Sequence, residues 1–178
     1  MPPEVRIEPI PHRPGLVTSP AVLRLHEFLE ASGGASPGAC DLLFRQKGEA
    51  ARRFASLRAA GYAVRAYLEN ETLWLPRAHT VWDAASFARQ RAIGWFAARL
   101  FESGGRFGAG RAFFPDGSEM PVAVVPYDRP PSLPCVVVLA SGSGDARRHV
   151  PPRVFWCREE DLVVCDLPSC LKYREDVK

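Results

Sequence analysis

At Gly61 the apolar residues of this chain change their spacing, and one element of secondary structure cannot carry both halves. Upstream, in KGEAARRFASLRAAGY, Ala50, Phe54 and Leu57 recur at helical intervals while Lys47, Arg52, Arg53, Ser56 and Arg58 spread over the other sides. Downstream, in YAVRAYLENETLWLP, Val64, Ala66 and Leu68 alternate with their neighbours, and Leu73 and Leu75 do so again after the turn-forming ENET. The spacing predicts a helix that stops at Gly61, a residue free to take the left-handed conformation, and a β-hairpin directly after it.

Two more helix starts precede this pair. Ser19-Pro20 opens a segment in which Val22, Leu25, Phe28 and Leu29 share a face, with Ser19 as N-cap and Pro20 at the first helical position. Ser36-Pro37 opens a shorter one with Cys40, Leu43 and Phe44, after a glycine break. Residues 1–18 are rich in proline and read as an extended arm. Charge is concentrated around the third helix: from Arg45 to Arg65 there are six basic residues and one acid, a local +5 in a chain of net +3, so the remainder carries −2. A local excess of this kind suits a face turned toward an anion, and a solvated helix surface gives the same count.

Three helices followed by a hairpin, over Ser19 to Pro76, resemble a winged helix-turn-helix domain, and LRAAGYAVRAYLENETLWLP resembles the passage from recognition helix to wing in such regulators. The resemblance implies that the third helix enters the major groove while its alanine-rich inner face rests on the first two. It implies a DNA-binding set of Arg45, Lys47, Arg52, Arg53, Ser56, Arg58, Arg65 and Asn70. Arg52, Arg53 and Ser56 would reach base edges, Arg65 would stand at the base of the wing and Asn70 at its turn. Glu69 and Glu71 beside Asn70 oppose a phosphate contact. Double-stranded DNA is the expected partner. A homodimer would place its two copies of the third helix about 34 Å apart on a near-palindromic target.

The second half opens with TVWDAASFARQRAIGWFAARLFESGG, a long helix carrying Trp82, Phe87, Ile93, Trp95, Phe96, Leu100 and Phe101 and ending at Gly104-Gly105. Strands are expected at 111–114, 122–127, 135–140 and 154–157, three to five in all, with LKYREDVK a frayed tail. The fold class is therefore α+β: an arm at 1–18, a winged helix-turn-helix domain at 19–78, and a small α/β domain at 79–178 with a short mixed sheet.

Chemistry-bearing motifs are sparse. Pro115-Asp116 fits the first half of the metal site of restriction-endonuclease-like nucleases, but CVVVLASGS supplies no carboxylate or lysine for the second half. A winged helix, a long helix and a Pro-Asp-Gly segment in this order are similar to replication-relaxation-type proteins of mobile elements, which implies a degenerate nuclease-like C-terminal part, and Asp116 itself reads as an Asp-Gly turn. ASGSGDARR follows a strand as a phosphate cradle would, without the lysine ending of a P-loop, and reads as a plain loop. Cys157, Cys165, Cys170 and His149 match no compact zinc spacing. The four histidines lie apart, and none adjoins a nucleophile motif.

The reading that results is a DNA-binding regulator of transcription or replication, such as a plasmid replication protein, with no enzyme activity, cofactor or metal. An adaptor that uses the same module to bind protein is the alternative, and a metal-dependent nuclease the third. With 178 residues, 47% of them hydrophobic, the chain can bury a core. No run approaches eighteen uncharged apolar residues and the N-terminus lacks a signal-peptide centre, so a cytoplasmic protein without membrane contact is expected. Five cysteines without a C-x-x-C pair suit reduced thiols, mostly in the core.

Overall fold

The chain is described by a computed structural model, which covers residues 3–9, 15–131, 134–142 and 150–175. The first two proline-opened helices form where expected: α1 spans Pro20–Ser32 and α2 spans Pro37–Asp41. Ser36 accepts from the Ala39 N–H at 3.3 Å, whereas the Ser19 hydroxyl makes no cap hydrogen bond and α1 begins on Pro20 alone. Helix α3, Glu49–Ala59, has no capping side chain of its own at Gly48. Asp41 supplies one from the end of α2, accepting from the Gly48 and Ala50 N–H groups at 3.1 and 3.3 Å.

The spacing change at Gly61 has a clear cause. Gly61 takes φ +79°, its N–H reaches the Arg58 carbonyl, and the Tyr62 N–H reaches the Leu57 carbonyl, which together form a Schellman ending. Strands β2 (Ala63–Leu68) and β3 (Glu71–Pro76) then pair antiparallel around Glu69-Asn70. Both faces of this hairpin are covered. Trp74 stacks on Phe54 of α3 at 4.2 Å and 8°, within a core that holds Leu25, Leu29 and Leu57. Val64, Ala66, Leu73 and Leu75 pack on the other side with Val81 and Phe87. The arm also joins in: β1, Arg6–Ile7, pairs antiparallel with β2, giving a three-stranded sheet of order β1-β2-β3.

Helix α4, Ala84–Glu102, belongs to every neighbouring core. Phe87 lies under the hairpin, Ala97 and Ala98 join the helical core, and Ala92, Ile93, Phe96 and Leu100 face the second sheet. Gln90, only 2% exposed, donates to the Ser32 and Gly34 carbonyls at 2.9 and 2.7 Å and so satisfies the buried end of α1. Trp82, expected on this helix, precedes its N-cap and stands 82% exposed.

Asp83 and Ser86 form a capping box at the start of α4, and the Ser86 hydrogen bonds hold the Asp83 carboxyl below the usual aspartate range. A depressed carboxylate stabilises the fold above its unfolded pKa, and the contribution disappears as pH falls through the folded value. Asp83→Ala is therefore expected to lower the thermal midpoint at neutral pH, and the gap to wild type should close below the ordinary aspartate range. Thermal unfolding over a pH series checks this.

The second sheet has six strands in the order β4-β5-β6-β7-β8-β9. Strands β4 (Arg106–Gly108), β5 (Arg111–Phe113) and β6 (Glu119–Val125) form an antiparallel meander. Strands β7 (Val136–Leu139) and β8 (Val154–Arg158) continue parallel to β6. After α5 (Glu159–Val164) and α6 (Leu167–Cys170), β9 (Lys172–Arg174) closes the edge antiparallel to β8. The expectation of at most five strands with a frayed tail is corrected: β4 and β9 are too short to show a period, and both are held by pairing. Strand β7 turns Val136 and Val138 toward α4, and Val137 and Leu139 toward a separate cluster with Val154 and Trp156. The described residues are thus α+β, with six helices and two sheets.

One buried ion pair ties these parts together. Glu159, 1% exposed, accepts from Arg91 of α4 at 2.6 and 3.3 Å and from the Ser141 N–H at 2.7 Å. Arg91 also pairs with Glu71 at the start of β3. Desolvation alone would lower the pKa of Arg91, but the two carboxylates outweigh it and raise it.

Candidate nucleic-acid interface

Helix α3 is fixed by its inner face, where Ala50, Phe54 and Leu57 are fully buried. Its other faces carry the cations expected to meet DNA, and the structure divides them into two groups. Arg45, Lys47 and Arg52 are exposed, and among the described residues none has a carboxylate partner. Arg45 and Lys47 lie on the turn leading into α3, and Arg52 lies on its first turn. Arg45 lines an open cleft with Arg24 of α1, Pro20 and Phe44. Ser56 is exposed on the same helix.

The second group of the expected set, Arg53, Arg58 and Arg65, is paired with carboxylates within the chain. Arg53 pairs with Glu49 one turn earlier at 2.8 Å. Arg58 meets Glu8 of the arm at 2.7 Å, and Arg65 lies 3.8 Å from the same carboxylate. Arg65 also sits over the Phe54 ring, 5.4 Å from its centroid. Asn70 is exposed at the hairpin tip, between Glu69, at φ +53°, and Glu71, which is drawn toward Arg91. The tip is therefore acidic on both sides of Asn70.

Glu8 is the residue that sequence reasoning missed. The alternation of Val5, Arg6, Ile7 and Glu8 is too short to mark a strand, and nothing in it points to Arg58 or Arg65.

The other motifs have plain local roles where they are described. Asp116 accepts from the Ser118 N–H and hydroxyl at 2.9 and 2.6 Å, beside Gly117 at φ +86°, and these bonds keep its carboxyl below the usual range. That is the Asp-Gly turn read from the sequence. Of the Gly-rich loop, residues 143–149, including His149, lie outside the described residues. At its start the Ser141 N–H, which a cradled phosphate would need, is already given to Glu159.

Cys40, Cys135, Cys157 and Cys170 are buried and Cys165 is exposed. Burial first, then the nearby Cys165, pushes the Cys170 thiol up to about 11. Among the described residues no group of three or more His, Cys, Asp or Glu side chains is placed to hold a metal ion. No helix among them is long and apolar enough to cross a membrane. Comparison of the chain with protein-family models, with curated proteins and with solved structures gives no match in any of the three.

Proposed function

We propose that residues 19–78 act as a winged helix-turn-helix unit and that the protein binds double-stranded DNA, as a regulator of transcription or replication such as a mobile element carries. One observation carries this reading: Arg45 and Lys47 on the turn into α3 and Arg52 on the helix itself are exposed cations without carboxylate partners among the described residues, beside a helix face that is fully buried. Phosphate contacts require cations of that kind on a rigid support. The bridge between Ala35 and Trp74, with hydrogen bonds of 2.9 and 2.8 Å, further supports it by fixing the helices to the hairpin.

The test is binding to a random-sequence duplex across a salt series. Wild type should bind with strong salt dependence. The triple variant Arg45→Ala/Lys47→Ala/Arg52→Ala should bind more weakly and lose about 3 from the logarithmic salt slope, roughly 0.9 for each cation removed. Absence of salt-dependent binding by wild type would discard the reading. It would then favour an adaptor that binds protein, which the acidic hairpin tip at Glu69 and Glu71 also suits.

A further inference from the structure

We propose that Arg58, Arg65 and Tyr67 form a second phosphate site, and that Glu8 of the N-terminal strand occupies it as an internal mask. The inference rests on the DNA-binding reading only for the source of the phosphate.

Two guanidinium groups and one hydroxyl, from two adjoining elements, converge on the Glu8 carboxylate. Arg58, in the last turn of α3, places Nε 2.7 Å from Glu8 Oε2. From β2, the Tyr67 hydroxyl donates to Oε1 at 2.8 Å, and Arg65 Nη1 lies 3.8 Å from the same oxygen. Two guanidinium groups and a phenol converging on one pair of oxygens suit a phosphate at least as well as a carboxylate. The match with Glu8 is imperfect, because Glu8 Oε2 and Arg58 Nε are close yet satisfy no hydrogen-bond geometry with any partner. An added tetrahedral oxyanion has more acceptor directions to offer the same donors. The side chains of Arg58 and Arg65 are 39% and 34% exposed, whereas Arg58 Nε itself is buried beside Glu8, so a ligand gains that donor only when Glu8 leaves.

The strap that delivers Glu8 is lightly held. Strand β1 has two residues, both exposed, and joins β2 through the pairs Arg6 with Tyr67 and Ile7 with Ala66. One further hydrogen bond runs from the Glu8 N–H to the Arg65 carbonyl at 2.9 Å. Pro3 and Pro9 on either side have no N–H to extend the ladder. Val5 packs partly buried against the hairpin cluster, and farther along the arm Val17 packs on the helical core and the Gly15 N–H donates to the Ala60 carbonyl at 2.7 Å. Displacing such a segment costs little compared with unfolding, so a phosphate that engages both arginines competes with it on favourable terms.

Glu8→Ala clears the pocket, and Glu8→Gln removes the charge while keeping the shape, so the two together guard against a folding defect in either. Glu8→Ala is expected to bind a random duplex roughly tenfold more tightly than wild type at low salt, with a salt slope steeper by about 1 to 2. Adding Arg58→Ala should cancel the gain. Independently of DNA, inorganic phosphate should shift the Arg58 Nε–H NMR resonance in Glu8→Ala and leave it in place in wild type. If wild type binds duplex and Glu8→Ala binds no more tightly, the mask is overturned and the DNA reading stands. If neither binds duplex, the DNA reading fails, and the phosphate titration still decides the site: a silent Arg58 resonance in Glu8→Ala overturns it.

Discussion

Glu159→Ala is expected to cost about 3 kcal/mol, the lower end of the range for removing one partner of a buried ion pair, because Arg91 keeps Glu71 when Glu159 is gone. The side chain of Glu159 is 2% exposed and serves two donors, the Arg91 guanidinium and the Ser141 N–H. Glu71→Ala removes the other carboxylate from the same guanidinium, yet its side chain is 50% exposed, so a loss of about 1 kcal/mol or less is expected. The contrast matters more than either value, since both carboxylates meet the same guanidinium and differ in burial and in the Ser141 N–H that Glu159 also accepts. Chemical denaturation of both variants measures it. Equal losses would mean that Arg91 finds water or a new acceptor once Glu159 is gone.

Gly94→Ala is the second large effect, and its sign opposes the usual rule. In the middle of a helix, alanine should stabilise relative to glycine by about 1 kcal/mol. A Cβ at position 94 would lie 2.7 Å from both Cα and Cβ of Ala35 and 3.0 Å from the Gly34 carbonyl oxygen. These are mainly backbone atoms of the link between α1 and α2, itself pinned to Trp74, so they cannot swing aside. A net destabilisation of roughly 2 kcal/mol is expected from the forced separation of α4 and the link. Ala35→Gly in the same protein should restore only part of it, because the Ala35 Cα still collides. A Gly94→Ala protein as stable as wild type would show that α4 sits farther from the link than described.

The helices and the hairpin were legible because each declares itself within about a dozen residues through its own period. Gly61 was readable for the same reason, as a local conformational demand at the junction of two periods. The arm was not, since the value of Glu8 depends on Arg58 and Arg65, some fifty residues away, and a two-residue strand has no period to find. Strand β9 was hidden likewise, its charged residues reading as a tail until β8 offers an edge. Trp82 misled in the opposite direction: it fits the helical spacing, but Asp83 caps the helix just after it and leaves the ring outside. At the candidate interface the sequence marked the cations but not their partners, so Arg53, Arg58 and Arg65 looked as available as Arg45, Lys47 and Arg52.

Helix α4 gives side chains to the cores on both sides of it, and this bears on how the chain melts. A fragment cut at residue 78 would bare the hairpin face formed by Val64, Leu73 and Leu75, and a fragment beginning there would leave Ala97 and Ala98 facing water. Neither half can be lost without stripping the other of its cover, so calorimetry should trace a single endotherm, and amides in α3 and in β7 should exchange at the same, globally limited rate.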